Sequence, residues 1–155
     1  MATFGFWNID FRNSDADERE ILRFAADLTL ERSLDVLFLI ECGASSESLL
    51  DAFNGETDYY PISCAERFTV VARFDPNYMQ RLSLPVPGNR FDVWHLRLPL
   101  QEDVLLCLVH GLDKRNNSSR RQELFMQQVV EALSYLEDKV GHNRTVVLGD
   151  LLISH

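Results

Sequence analysis

Apolar runs that end on a polar or acidic residue punctuate this chain. Phe4-Gly5-Phe6-Trp7-Asn8-Ile9 is the first and Asp35-Val36-Leu37-Phe38-Leu39-Ile40-Glu41 the second. Val104-Leu105-Leu106-Cys107-Leu108-Val109-His110 and Thr145-Val146-Val147-Leu148-Gly149-Asp150 follow much later. Short apolar runs of this kind predict buried strands. Asn8, Glu41, His110 and Asp150 then stand at strand exits, the rim where open α/β sheets hold their ligands. A strand exit fixes a polar side chain against a rigid core, so its position is set before any substrate arrives.

Between these runs the period changes. Asn13-Ser14-Asp15 offers N-cap residues, and Ile21, Leu22, Phe24, Ala25, Leu28 and Leu30 recur at helical spacing to about Arg32. Ser45 and Ser46, with Glu47, open a short helix carrying Leu49, Leu50 and Phe53. Strand, helix, strand, helix in that order implies a right-handed parallel crossover. The middle of the chain predicts short strands at 59–63, 68–74, 80–86, 91–98 and 103–110, broken by Asp75-Pro76-Asn77, Pro87-Gly88-Asn89 and Pro99. Ser118-Ser119 start a long helix whose apolar face is Leu124, Phe125, Val129, Val130, Leu133 and Leu136, and Gly141 is placed to end it. Leu37, Leu39, Leu106, Leu108, Val146 and Leu148 are expected to be buried in adjacent central strands. The sum is a mixed α/β, or α+β, fold in which a mixed sheet is flanked by helices.

A length of 155 residues fits one domain, 1–155, with a full core, and no repeat or linker divides it. Hydrophobic residues make up 46% and charged residues 25%, which excludes a disordered chain. No apolar run is long enough to span a bilayer. Cys42, Cys64 and Cys107 are odd in number and lie in or beside apolar strands. They predict buried free thiols and a reducing, cytoplasmic setting, and without a CxxC spacing they do not suggest a zinc site. The net charge of −9 argues against nonspecific binding to nucleic acid through basic side chains, although a metal ion can supply positive charge locally. The dense basic stretch Lys114, Arg115, Arg120 and Arg121 reads as a solvated loop and helix start.

Taken in order, these motifs resemble the first half of the endonuclease/exonuclease/phosphatase family, whose fold is DNase I-like. Trp7-Asn8 is similar to the family's opening W-N, and Glu41 to its metal-binding glutamate at the end of the second strand. Phe68-Thr69-Val70-Val71-Ala72-Arg73 resembles its apolar strand ending in a basic residue. Val109-His110-Gly111-Leu112 resembles the strand that delivers a histidine to the scissile phosphate. Arg121-Gln122 is similar to an R-x-x-Q-type helix start, and Gly149-Asp150 to the G-D of G-D-x-N. The resemblance implies catalytic roles for His110 and Asp150, contacts to substrate phosphate from Asn8 and Arg121, and weak Mg²⁺ or Mn²⁺ binding at Glu41. It implies a phosphate-containing substrate, whether nucleic acid, phospho-metabolite or lipid headgroup.

Two departures shape the functional expectation. Leu152 stands where the family has asparagine, and Ser154-His155 is only an echo of the Asp-His motif that ends the family's second half. The chain is therefore expected to be a truncated or split Mg²⁺-dependent phosphodiesterase-family protein, with a catalytically dead binding or assembly module as the alternative. Half of a layered sandwich would form about one sheet, with helices on a single side. Its open face, with Phe91, Val93, Leu105 and Cys107 as candidates, would be covered either by a second copy in a homodimer or by the remainder of a longer parent protein.

Overall fold

The computed structural model describes residues 2–10, 17–53, 59–64, 67–86, 88, 90–113 and 115–151. The chain divides into two compact units, Met1–Asn77 and Tyr78–His155.

In the first unit β1 (Phe4–Asn8), α1 (Glu18–Glu31), β2 (Val36–Ile40), α2 (Ser46–Phe53), β3 (Tyr60–Cys64) and β4 (Phe68–Ala72) follow in order. The sheet order is β1-β2-β4-β3. β1 and β2 are parallel, as the strand–helix–strand pattern requires, and β4 runs antiparallel to both β2 and β3. The expected N-cap residues Asn13-Ser14-Asp15 lie outside the described residues; Asp17 caps α1 by accepting the Arg19 N–H at 3.1 Å. α1 turns Leu22, Ala25, Ala26 and Thr29 inward, and the Thr29 hydroxyl donates to the Ala25 carbonyl at 2.6 Å. That bond removes the cost of burying a hydroxyl. Leu22, Ala25 and Ala26 pack with Leu37, Leu39, Leu49, Phe53, Tyr59 and Val71 in one core, and Trp7 lies partly buried against it. Trp7 meets Phe24 edge-on, with ring centroids 5.6 Å apart.

The second unit contains β5 (Met79–Arg81), β6 (Phe91–Leu96), β7 (Val104–His110), α3 (Ser119–Val140) and β8 (Thr145–Asp150), with sheet order β5-β6-β7-β8. β5, β6 and β7 are antiparallel neighbours, whereas β8 runs parallel to β7 through the α3 crossover. α3 begins at the cap Ser118 and closes on Gly141, which has φ 81° and donates its N–H to the Glu137 carbonyl. Only glycine takes that left-handed conformation without steric cost. Phe125, Val129, Ala132 and Leu136 of α3 form one core with Phe91, Val93, Leu105, Cys107 and Val109. Burial there pushes the Cys107 thiol up to about 12, so it stays protonated.

Three expectations need correction. The described residues form two four-stranded sheets, not about one, because the short middle strands divide between them: β3 and β4 join β1 and β2, while β5 and β6 join β7 and β8. The face expected to be open is not open, since Phe91, Val93, Leu105 and Cys107 are at most 1% exposed and lie under α3. The reason for a homodimer through that face is thereby gone. Finally, Leu37, Leu39, Leu106 and Leu108 are buried as expected, but Val146 and Leu148 are only half-buried and Val147 is 44% exposed. β8 pairs with β7 alone among the described strands, so it carries the partial burial of a sheet edge. Cys42, Cys64 and Cys107 are all free, with Cys64 only half-buried. No helix among the described residues is long and apolar enough to cross a membrane.

Candidate active site

Each unit ends a pair of parallel strands in candidate residues. In the first, Asn8 closes β1 opposite Ile40, the last residue of β2, and Glu41 follows at once. The Ile9 N–H donates to the Ile40 carbonyl at 3.1 Å, keeping the two strand ends level. Glu41 then leaves the strand in the left-handed region, with φ 55°. A glutamate there costs about 1–3 kcal/mol, so neighbouring contacts must hold it. Its N–H donates to the Arg67 carbonyl at 3.1 Å, and Arg67 Nη1 lies 4.0 Å from Glu41 Oε1. Asn8 Oδ1 accepts the Asp10 N–H at 3.2 Å, which fixes the amide and turns the chain.

In the second unit His110 ends β7 and Asp150 ends β8, and the two are register partners. Parallel neighbours about 4.8 Å apart project paired side chains to the same face, so the imidazole and the carboxylate leave the sheet side by side. His110 is 8% exposed and Asp150 half-buried. The strand ends are tied by Gly111, whose N–H donates to the Asp150 carbonyl at 2.7 Å. Gly149 lets β8 come this close: a Cβ there would sit 1.9 Å from the Val109 carbonyl oxygen. Arg90, directly ahead of β6, accepts the His110 N–H on its carbonyl at 2.7 Å and donates Nη1 to the Gly111 carbonyl at 2.9 Å.

Arg121 is exposed on the first turn of α3, with its backbone N–H bound to the Ser118 cap. Gln122, beside it, donates to the Leu112 carbonyl at 3.4 Å and so ties that turn to the loop leaving β7. Leu152, Ser154 and His155 lie outside the described residues. Arg67 and Arg90 were not singled out in the sequence. The signal that finds them is positional, a basic residue immediately before an antiparallel strand whose neighbour ends in a candidate residue. Arg73, which was singled out, instead forms an ion pair with Asp35 at the other end of the first sheet. For a hard divalent cation the first unit offers the Glu41 carboxylate, and a single carboxylate completed by water suits Mg²⁺.

The fold has known counterparts. TDP2 from C. elegans superposes with a TM-score of 0.64 at 16% identity, covering 99% of this chain and 48% of that one. An endonuclease/exonuclease/phosphatase family protein from Leptotrichia buccalis gives 0.64 at 12% identity, covering 98% of this chain and 67% of its own. D. rerio TDP2 complexed with a single-strand DNA product gives 0.60 at 16% identity, covering 99% and 62%. The chain has the endonuclease/exonuclease/phosphatase, or DNase I-like, fold. It spans about half to two thirds of the length of these structures. No family model matches the sequence, and no curated relative does. The likeness therefore lies in the fold.

Proposed function

We propose that this chain belongs to a Mg²⁺- or Mn²⁺-dependent hydrolase of phosphodiesters or phosphoesters, and that Asn8, Glu41, His110, Arg121 and Asp150 serve that reaction. The observation that carries the reading is the register pairing of His110 with Asp150 on adjacent parallel strands. An imidazole and a carboxylate leaving one face side by side form a unit that can hold and move a proton. In this reading Asp150 accepts a proton from the attacking water, and His110 donates a hydrogen bond to a phosphoryl oxygen as negative charge develops there. Asn8 offers its amide N–H to the phosphate, and Arg121 binds a neighbouring phosphate as an exposed charge. A divalent ion held by Glu41 would neutralise phosphoryl charge. With one protein carboxylate, that ion is bound weakly, at about millimolar dissociation constant. The D. rerio TDP2 structure holds a single-strand DNA product, which makes single-stranded DNA the first substrate to try.

One sequence feature favours a second reading, a module that binds but does not cleave. Leu152 occupies the position where the family pattern has asparagine, and an apolar side chain cannot hold phosphate. Hydrolysis of bis-p-nitrophenyl phosphate and of a labelled single-stranded oligonucleotide, with Mg²⁺ or Mn²⁺, separates the two. The hydrolase reading expects slow, metal-dependent turnover that falls by roughly 10²–10⁴ in His110→Ala and Asp150→Asn. Turnover that survives both substitutions would overturn the residue assignment. Saturable oligonucleotide binding with no cleavage would establish the second reading.

A further inference from the structure

The entrance to β7, at the end of the strand away from His110, holds a cluster that the proposed phosphoester chemistry does not use. His95, near the end of β6, places Nε2 2.7 Å from Asp103 Oδ2, and His142, in the turn after α3, places Nε2 3.0 Å from the same oxygen. The three ligand atoms lie within 4.8 Å of one another. The imidazoles are 12% and 7% exposed in their side chains, and Asp103 is 31% exposed. Chain separations of 8 and 39 residues bring these groups together from three elements.

We propose that His95, Asp103 and His142 form a binding site for a Zn²⁺-class transition-metal ion. The donor set decides the class: two imidazole nitrogens with one carboxylate suit Zn²⁺, Co²⁺ or Ni²⁺, whereas Mg²⁺ and Ca²⁺ take oxygen. The spacing is near what such an ion needs. Bonds of about 2.0–2.1 Å in a tetrahedron set the ligand atoms about 3.3 Å apart, so the two imidazoles draw back from Asp103 by a few tenths of an ångström, while their nitrogens, within 4.8 Å of each other, close to the same spacing. The Asp103 carboxylate is already aimed. Arg144 holds its other oxygen, Oδ1, through Nη2 at 2.5 Å and the Asp103 backbone carbonyl through Nε at 2.8 Å, leaving Oδ2 turned to the imidazoles. Partners outside the ligand set that fix a carboxylate in this way are a regular feature of metal centres. Glu102, with Oε2 3.9 Å from Arg144 Nε, offsets part of the arginine's charge. The partial exposure of Asp103 leaves water a path to the fourth coordination position.

Binding requires both rings to free Nε2, because Asp103 Oδ2 only accepts and each imidazole donates its Nε2 proton to it in the hydrogen-bonded cluster. The His142 Nδ1 accepts the Arg144 N–H at 3.2 Å, so in the hydrogen-bonded cluster the ring carries its proton on Nε2. The metal takes the Nε2 lone pair of each ring, each displaced proton passes to its own ring's Nδ1 or to water, and the Arg144 N–H is released from His142. The site lies far from the candidate catalytic pair: β7 runs from Val104 to His110, about 20 Å at the usual rise per residue. A metal there ties the end of β6, the start of β7 and the turn before β8 into one crosslink. Its role is to hold the second sheet, and it is independent of the weak ion proposed at Glu41.

The test uses the metal-stripped chain and Co²⁺ as the probe, read by the visible d–d bands of a tetrahedral cobalt site. The proposal expects 1:1 saturation, displacement by stoichiometric Zn²⁺ and no displacement by excess Mg²⁺. His142→Ala and Asp103→Asn should each weaken binding by more than the roughly 100-fold that loss of an outer partner costs. Glu41→Ala should leave it unchanged. Should the ligand variants fail to fold, the imidazole ¹⁵N shifts of the unmodified chain decide, because Zn²⁺ must move two histidines and move His142 to the Nδ1–H tautomer. Absence of saturable binding, binding unchanged in a folded His142→Ala chain, or loss in Glu41→Ala would each overturn the proposal.

Discussion

Each unit places an aspartate directly before its interior parallel strand, and the two aspartates are held by different chemistry. Asp35 precedes β2 and accepts the Thr3 N–H at 2.7 Å and the Thr3 hydroxyl at 2.9 Å, with the Arg73 guanidinium on its other oxygen. Asp103 precedes β7 and takes two imidazoles on one oxygen and Arg144 on the other. Desolvation pushes the Asp35 carboxyl up, but the Thr3 and Arg73 contacts outweigh it and the net shift is downward. The His95 hydrogen bond, helped by Arg144 and His142 against desolvation, holds Asp103 well below the usual carboxylate range. Both arrangements tie a strand entrance to its neighbours. Only the second brings lone pairs suited to a transition metal, so the same position in two sheets serves as a plain clamp in one and a candidate metal centre in the other.

The strand exits differ as well. The first unit reaches its exit with a strained non-glycine backbone at Glu41, the second with a regular strand and a glycine at 149 that admits close approach.

The largest expected effect comes from Gly149→Ala. The new Cβ would meet the Val109 carbonyl, which is backbone and cannot swing away. A loss above about 4 kcal/mol, or failure of β8 to pair, is expected in urea unfolding. A chain that unfolds within 1 kcal/mol of the original, by the same measure, would show the β7–β8 approach to be looser than described.

Asp103→Ala, measured without metal, should cost about 3 kcal/mol, since it strips partners from two largely buried imidazoles and a guanidinium. Asp35→Ala should cost less, about 2 kcal/mol, because Arg73 is half exposed and regains water. Equal losses would erase the distinction between the two clamps. The Asp35 contribution also carries a pH signature. Its folded pKa lies below the ordinary value of 3.8, so the stabilisation is complete above that value and is lost as pH falls beneath it. An acid titration of Asp35→Asn should therefore converge on the original chain below this window; parallel curves would discredit the assignment.

The smallest effect has the opposite sign. Glu41→Gly removes a strained left-handed glutamate and should stabilise the chain by about 1 kcal/mol while abolishing Mg²⁺ binding. A destabilised Glu41→Gly chain would mean that the Arg67 contact outweighs the strain.

Local features were the legible part of this fold. The caps Ser118 and Gly141 mark α3 at both ends, because a cap is written in one or two residues. The interior strands β2 and β7 show as unbroken apolar runs because both their faces are buried. The strand expected over 80–86 shrinks to Met79–Arg81, since Pro85 has no N–H to offer a ladder and the chain leaves the sheet after Leu82 bonds to Val93. The partition into two sheets was not legible, because it depends on which distant strands pair. Asn8, Glu41, His110 and Asp150 fell at parallel strand ends as their polar breaks foretold. His95, Asp103 and His142 carry no such sign. Their spacing matches no compact ligand motif, and only the antiparallel return of β6 to β7 and the α3 crossover bring them together.

The chain's two tryptophans fall one to each unit, and this gives the molecule a built-in optical label for each half. Trp7 sits beside Asn8 on β1, edge-on to Phe24, while Trp94 is buried in the middle of β6, paired with Leu106 and Arg81. Trp94→Phe leaves an emitter next to the Asn8 and Glu41 rim, whose spectrum should respond to a divalent-ion titration there. Trp7→Phe leaves one on the second sheet. Denaturation followed in the two single-tryptophan chains then tells whether the halves melt as one cooperative body or in succession, since a single transition requires coincident curves from both emitters.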